Sequence, residues 1–176
     1  MNADTYQELA ARTLNSEPDF ELSEHQHALL LYGLMLGSSA AVLVDYLKKA
    51  IFHQHGLDYT ELERHLANCQ AQLDKFEHEI GPSSTSQALP QISSEKFKFL
   101  WCILGLLGEA GEAAENILAE QPQELGKELG DVQWYLAGLA TIADLKLSDI
   151  MGHNIDKLKK RYPEGFRVED SRGRKD

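Results

Sequence analysis

The chain has 176 residues, a length for one domain with its own core, and its 43% hydrophobic and 26% charged residues exclude wholesale disorder and collagen-like order. Seventeen Lys and Arg stand against 28 Asp and Glu, a net charge of −11 that repels nucleic-acid backbones and favours cations as ligands. Two lone cysteines, Cys69 and Cys102, support neither a disulfide framework nor a zinc site, and Met1 to Leu9, with Asp4 and Glu8, lacks the apolar core of a secretory signal, so a reducing, cytoplasmic setting is expected.

Apolar residues recur at spacings of three and four, Ala, Leu, Glu, Gln and Lys dominate, and alternating β-branched runs are lacking; the pattern predicts an all-α fold. Helices are expected near 4–14, 24–52, 59–79, 95–120, 123–143 and 148–161. The second contains a charge-free stretch from Ala28 to Val44, which Gly33, Gly37, Ser38 and Ser39 interrupt. It falls short of the ~20 apolar residues that span a bilayer and reads as a buried helix. After the third helix, Gly81 to Pro90 collects Gly, Pro, Ser and Thr, the mark of a linker.

On the fifth helix Leu125, Leu129, Val132, Leu136 and Leu139 form a core seam, with Glu128, Asp131 and Tyr135 beside it. On the sixth, Ser148 is placed to cap the start, Met151, Ile155 and Leu158 form an inward stripe, and Pro163 lies past the end. Asn154, Lys157 and Arg161 share a different stripe.

The halves resemble each other weakly. Setting Leu36-Gly37 against Leu107-Gly108 and Glu61-Leu62 against Glu124-Leu125 aligns two helical hairpins, so that Leu47 meets Leu118, Gln70 meets Gln133 and Leu73 meets Leu136. Chance agreement of two amphipathic helix pairs is the competing explanation. If the repeat is real, Glu109, Glu112, Glu128 and Asp131 fall opposite Ser38, Ala41, His65 and Asn68, and the first half has none of the four carboxylates. The expected layout is a single all-α domain over 1–176. A degenerate first half occupies 1–80, a linker 81–94, a catalytic half 95–166 and a charged tail 167–176.

Glu109 and Glu112 are three apart on one helix, and Glu128 and Asp131 repeat that spacing on the next. An antiparallel hairpin turns both pairs into one groove. Two carboxylates ~4 Å apart repel by about 4 kcal/mol at an effective dielectric near 20, so four converging need a cation or must take up protons. Mg²⁺ suits such a set, because it takes oxygen ligands and shares sites with phosphates; Mn²⁺ is a possible substitute. A solvated acidic face is the alternative for either pair alone. A di-iron bundle asks for two Glu-x-x-His motifs, and the chain offers one, Glu24 with His27.

The run Leu107-Gly108-Glu109-Ala110-Gly111-Glu112, then Lys127-Glu128-Leu129-Gly130-Asp131-Val132, then Asn154 to Lys157 and Arg161-Tyr162-Pro163-Glu164-Gly165-Phe166, resembles the MazG-like family of all-α nucleoside triphosphate pyrophosphohydrolases. The resemblance covers about 95–166, and Tyr6-Gln7 with Arg12-Thr13 is similar to the opening helix of many members. It implies a MazG-like helical bundle in which Glu109, Glu112, Glu128 and Asp131 are the catalytic, magnesium-binding residues. It also implies that Asn154, Lys157 and Arg161 lie near the phosphates, with Tyr162 among the substrate-binding residues. Trp134 and Tyr135 offer stacking faces for a nucleobase, against the alternative of core packing. One departure is plain: a Phe-His-x-His connector, which single-copy relatives often carry between the carboxylate helices, is found here as Phe52-His53-Gln54-His55 in the acid-free half. There the two histidines, His53 and His55, read as surface loop residues.

The implied activity is that of a Mg-dependent hydrolase acting on phosphoric anhydrides, cleaving (d)NTP to (d)NMP and pyrophosphate in nucleotide-pool house-cleaning. Alternatives are a non-catalytic nucleotide-binding or dimerisation module and a phosphoribosyl-ATP pyrophosphohydrolase. The expected partners are the nucleoside triphosphate and a second copy in a homodimer, with no nucleic acid polymer and no membrane. Between Lys157 and Lys175 lie eight of the 17 Lys and Arg residues, a source of positive charge for the phosphates, with Lys157 and Arg161 best placed.

Overall fold

A computed structural model describes residues 1–14, 23–81 and 93–172; most of the linker expected at 81–94 and the end of the charged tail lie outside them. The fold is all-α, as the spacing predicts, with seven helices and no strand among the described residues. The chain divides into two compact units, residues 1–23 with 89–151 and residues 24–88 with 152–176.

The first unit is built on a hairpin of α4 (Ser94–Leu118) and α5 (Leu125–Ile142), with α1 (Ala3–Ala11) packed on α5. Asn2 caps α1 by accepting from Thr5 N, and Ser93 caps α4 by accepting from Lys96 N, each satisfying an amide that has no partner inside its helix. The most buried apolar side chains of the arms are mostly small: Cys102 and Ala137 are fully buried, and Ala140 and the larger Leu100 nearly so. This corrects the expected seam on α5, where Leu129 and Leu136 are 46% and 43% exposed and the buried positions are Glu128, Ala137, Gly138 and Ala140. Small residues let the helix axes approach, so the apolar stripe is displaced from the contact.

Both arms end in the same way. Glu120 and Asp144 adopt left-handed backbones, φ 57° and 54°. The following amides reach back, Gln121 N to Asn116 O and Leu145 N to Ala140 O, both at 2.8 Å, which closes the helix ends as Schellman turns.

The start of α6 (Leu147–Arg161) is held from α1. Gln7 Oε1 accepts from Leu147 N at 2.7 Å, and Asp4 accepts from both the amide and the hydroxyl of Ser148, at 3.1 and 3.0 Å. Ser148 therefore does not cap the helix as expected; the acid of a distant helix does, and its charge also opposes the positive end of the α6 dipole. Asp4→Ala is expected to cost about 1 kcal/mol. A melting scan should show a fall of roughly 2–4 °C, and an unchanged midpoint would refute the capping role. The α6 stripe expected to point inward does not: Met151 and Ile155 are 55% and 49% exposed.

The second unit contains α2 (Glu24–Phe52), α3 (Tyr59–Ile80) and α7 (Val168–Arg172). α2 and α3 form a second antiparallel hairpin, with His25 Nδ1 3.1 Å from Glu79 Oε1 at one end and Tyr46 meeting Asp58 at the other. The face of α3 turned to α2 is polar, with His65, Gln72 and Glu79 buried at heptad spacing. Asn68 donates to Ser39 Oγ at 3.0 Å. α2 is not the buried helix expected. Only Ala28, Ser39 and Ala50 are buried along it, while Val44, Ile51 and Phe52 are more than 60% exposed. Among the described residues it is the one helix long and apolar enough to cross a membrane.

The connector between α2 and α3 is tightly organised. The Tyr46 hydroxyl donates to Asp58 O and accepts from Asp58 N, both at 2.8 Å, and Asp58 in turn caps α3. α7 falls in the stretch expected to be a charged tail. Its Ser171 is fully buried, with Oγ 2.8 Å from His53 Nδ1 and 3.3 Å from His55 Nε2, and Arg172 donates to the Gln54 carbonyl. The His53 ring meets Phe166 edge-on, and Phe166 packs on Tyr162. These histidines thus belong to a clasp rather than a bare surface loop.

Candidate metal centre

The short turn after Glu120 sets α5 beside α4, so that side chains one turn apart on each arm share a groove. Glu109 and Glu112 come from α4 and Glu128 from the first turn of α5, where a helix N-terminus favours negative charge. Carboxylate oxygens of these three residues lie within 4.8 Å of one another. Glu112 is exposed, Glu109 half-buried and Glu128 buried, so the group grades from solvent into the hairpin. Asp131 flanks it one turn after Glu128, exposed, and its charge acts on both Glu109 and Tyr6.

The electrostatics register the crowding. Burial, and then the like charges of Glu112, Asp131 and Glu128, raise the Glu109 carboxyl above its ordinary value, and a hydrogen bond to the Glu128 carboxyl adds to the rise. Without a cation Glu109 therefore holds its proton more tightly than an ordinary glutamate does. Hard oxygen donors in excess of local positive charge fit a divalent ion such as Mg²⁺ or Mn²⁺. From Glu109 to Asp131 there are seven acids and one base, Lys127, whose ammonium is paired with Glu124 at 3.0 Å on the surface.

Aromatic side chains and α1 adjoin the acids. The Tyr135 ring lies across α4 at Gly105, where a methyl group would stand 2.1 Å from its Cζ and 2.6 Å from its hydroxyl oxygen. Burial and the neighbouring Glu109 raise the Tyr135 phenol above its ordinary value. Trp134 donates its indole N–H to Thr13 Oγ1 at 2.8 Å and meets the rings of Trp101 and Tyr135 edge-on. The Tyr6 hydroxyl contacts the Gly130 carbonyl at 3.4 Å.

Asn154, Lys157, Arg161 and Tyr162 belong to the second unit, the first three on the later turns of α6 and Tyr162 just past its end. Asn154 and Lys157 are exposed, and Arg161 and Tyr162 half-buried. Sequence reasoning missed two residues of the first unit. Asn116 donates to Glu128 Oε1 at 3.3 Å. Its signal was available, since it follows Glu112 by four and so shares the α4 face of the acids. The other is Gly105, since no local pattern names Tyr135 as the ring that needs a glycine there.

A helical hairpin that gathers carboxylates from both arms is an α-helical unit with the donor set for holding a metal ion. Residues 97–166 match the MazG nucleotide pyrophosphohydrolase domain. The chain is also similar to the Gene 37 protein of Mycobacterium phage L5, with 40% identity over 73 residues, 35% of this chain. The match spans 64% of that relative's length. No solved structure matches significantly.

Proposed function

We propose that the protein is a Mg²⁺-dependent nucleoside triphosphate pyrophosphohydrolase that converts (d)NTP to (d)NMP and pyrophosphate, clearing the nucleotide pool in the cytoplasm. The observation that carries this reading is the Glu109–Glu112–Glu128 group inside the segment that matches the MazG domain. A divalent ion held there supplies charge neutralisation and Lewis acidity toward phosphate oxygens. Glu109, Glu112 and Glu128 are its ligands, with Asp131 completing the carboxylate set. Asn154, Lys157, Arg161 and Tyr162 are the proposed contacts to substrate phosphates, Arg161 by bidentate pairing. Trp134 and Tyr135 border the proposed base subsite. A second copy of the chain is the proposed partner, which the exposed, heptad-spaced Leu129 and Leu136 support.

Incubating the purified protein with a panel of nucleotides, phosphoribosyl-ATP included, with Mg²⁺ or Mn²⁺ tests the reading through pyrophosphate release. Turnover of one or more nucleoside triphosphates is the expected result. Metal-dependent nucleotide binding without turnover would establish the binding-module alternative, and turnover confined to phosphoribosyl-ATP the other.

The raised Glu109 carboxyl gives a pH prediction. A proton held more tightly in the folded state contributes stability below the ordinary carboxylate value and loses that contribution as pH climbs through the raised one. In EDTA, the Glu109 contribution should therefore fall as pH climbs above about 4.5. Added Mg²⁺ should raise the melting temperature more at pH 7.5 than at pH 4.5. An equal rise at both would show that the ion binds elsewhere.

A further inference from the structure

We infer that Asn116 is the positioning residue of the metal centre, orienting Glu128 through a hydrogen bond to one of its carboxylate oxygens. The inference rests on the metal-binding reading above and concerns a residue outside the carboxylate pattern. Glu128 is the buried member of the acid group, at 9% exposure, and a buried carboxylate without a donor bears the full cost of lost hydration. Asn116 provides that donor, Nδ2 to Oε1 at 3.3 Å across the two arms. Its own backbone is held, because its carbonyl accepts the Gln121 amide at 2.8 Å in the turn that closes α4. The amide is thus fixed at both ends, by the helix terminus behind it and the carboxylate in front.

The side-chain type matters as much as the place. Asn116 lies four residues past Glu112 on the same face, where an acid would add another like charge and a Lys or Arg would offset the negative field that draws a cation. A neutral donor holds Glu128 in one orientation while leaving its charge available to the metal. Hydrogen-bonding partners of metal ligands act in this way, and their loss typically lowers metal affinity 10–100-fold.

Mn²⁺ titration by calorimetry on nucleotide-free protein tests the inference independently of turnover. Asn116→Ala and the near-isosteric Asn116→Leu are expected to weaken Mn²⁺ binding about 10–100-fold while helicity in EDTA stays that of the wild type. Asn116→Gln, which retains the donor, should recover part of the loss, which a merely structural role would not predict. Folded Ala and Leu variants with wild-type Mn²⁺ affinity would overturn the inference. So would a Gln variant no better than Ala. If the wild-type protein itself binds no Mn²⁺, it is the metal-binding reading that fails, and the inference with it.

Discussion

Glu112→Lys is expected to abolish pyrophosphate release and to remove divalent-ion binding, with the helical fold retained. Glu112 is the exposed member of the carboxylate group, so a lysine there finds room in solvent. It places a positive charge among oxygens that lie within 4.8 Å of one another. At ~4 Å and an effective dielectric near 20, one unit charge is worth about 4 kcal/mol, and the substitution changes the charge by two. After screening by solvent at this exposed position, a loss of roughly a thousandfold or more in metal affinity remains. Calorimetric Mn²⁺ titration and a pyrophosphate assay on the same preparation check both parts. His65→Ala serves as the contrast. His65 aligns with Glu128 in the proposed repeat, but it is buried in the second unit against Tyr46, with ring centroids 5.0 Å apart. That variant should bind Mn²⁺ as the wild type does, and loss of affinity in it would refute the division between an acid-bearing and an acid-free half.

The second large effect is expected at Gly105. In a free helix Gly→Ala stabilises by up to about 1 kcal/mol, so the sign here depends on what the new methyl meets. It meets the Tyr135 ring at 2.1 and 2.2 Å, and a rigid aromatic ring yields only by leaving its place. Overpacking of this kind costs about 1–3 kcal/mol, which outweighs the propensity gain. Gly105→Ala should therefore lower the melting temperature by several degrees. It should also impair turnover, because the displaced ring sits beside Glu109. In the double variant Gly105→Ala with Tyr135→Leu, part of the lost stability should return, the non-additivity expected of residues in direct contact. A Gly105→Ala protein that melts at or above the wild-type midpoint would show that the notch is not needed.

Much of the architecture was legible because the relevant physics is local. Both bounds of α2 and the first residue of α3 agree with the apolar periodicity, and the other helix ends fall within a few residues. The carboxylate spacing was legible for the same reason, since i to i+3 placement on a helix depends on that helix alone. What failed was the direction of the apolar stripes. Leu129 and Leu136 are the larger hydrophobes of α5, but the arms close on Ala137, Gly138 and Ala140, and a periodicity count weights a leucine above the alanine that admits a neighbour. α7 was missed because five residues are too few to show a period. Ser171 gave no hint of the two imidazoles that bury it, since they lie more than 110 positions earlier in the chain. The Asn116 amide and the Gly105 notch each depend on a partner across the hairpin, which spacing along one helix does not contain.

The bonds from Asp4 and Gln7 to Leu145, Leu147 and Ser148 close loops of 138 to 144 residues. On the ribosome, at roughly 5–20 residues per second, α1 leaves the exit tunnel about seven to thirty seconds before the amides it will cap. The α2–α3 hairpin forms meanwhile from nearer neighbours, and the docking of α1 onto the start of α6 is a late event of biogenesis. In refolding experiments the same contacts should report the slow, high-contact-order step, well after most of the circular dichroism has returned.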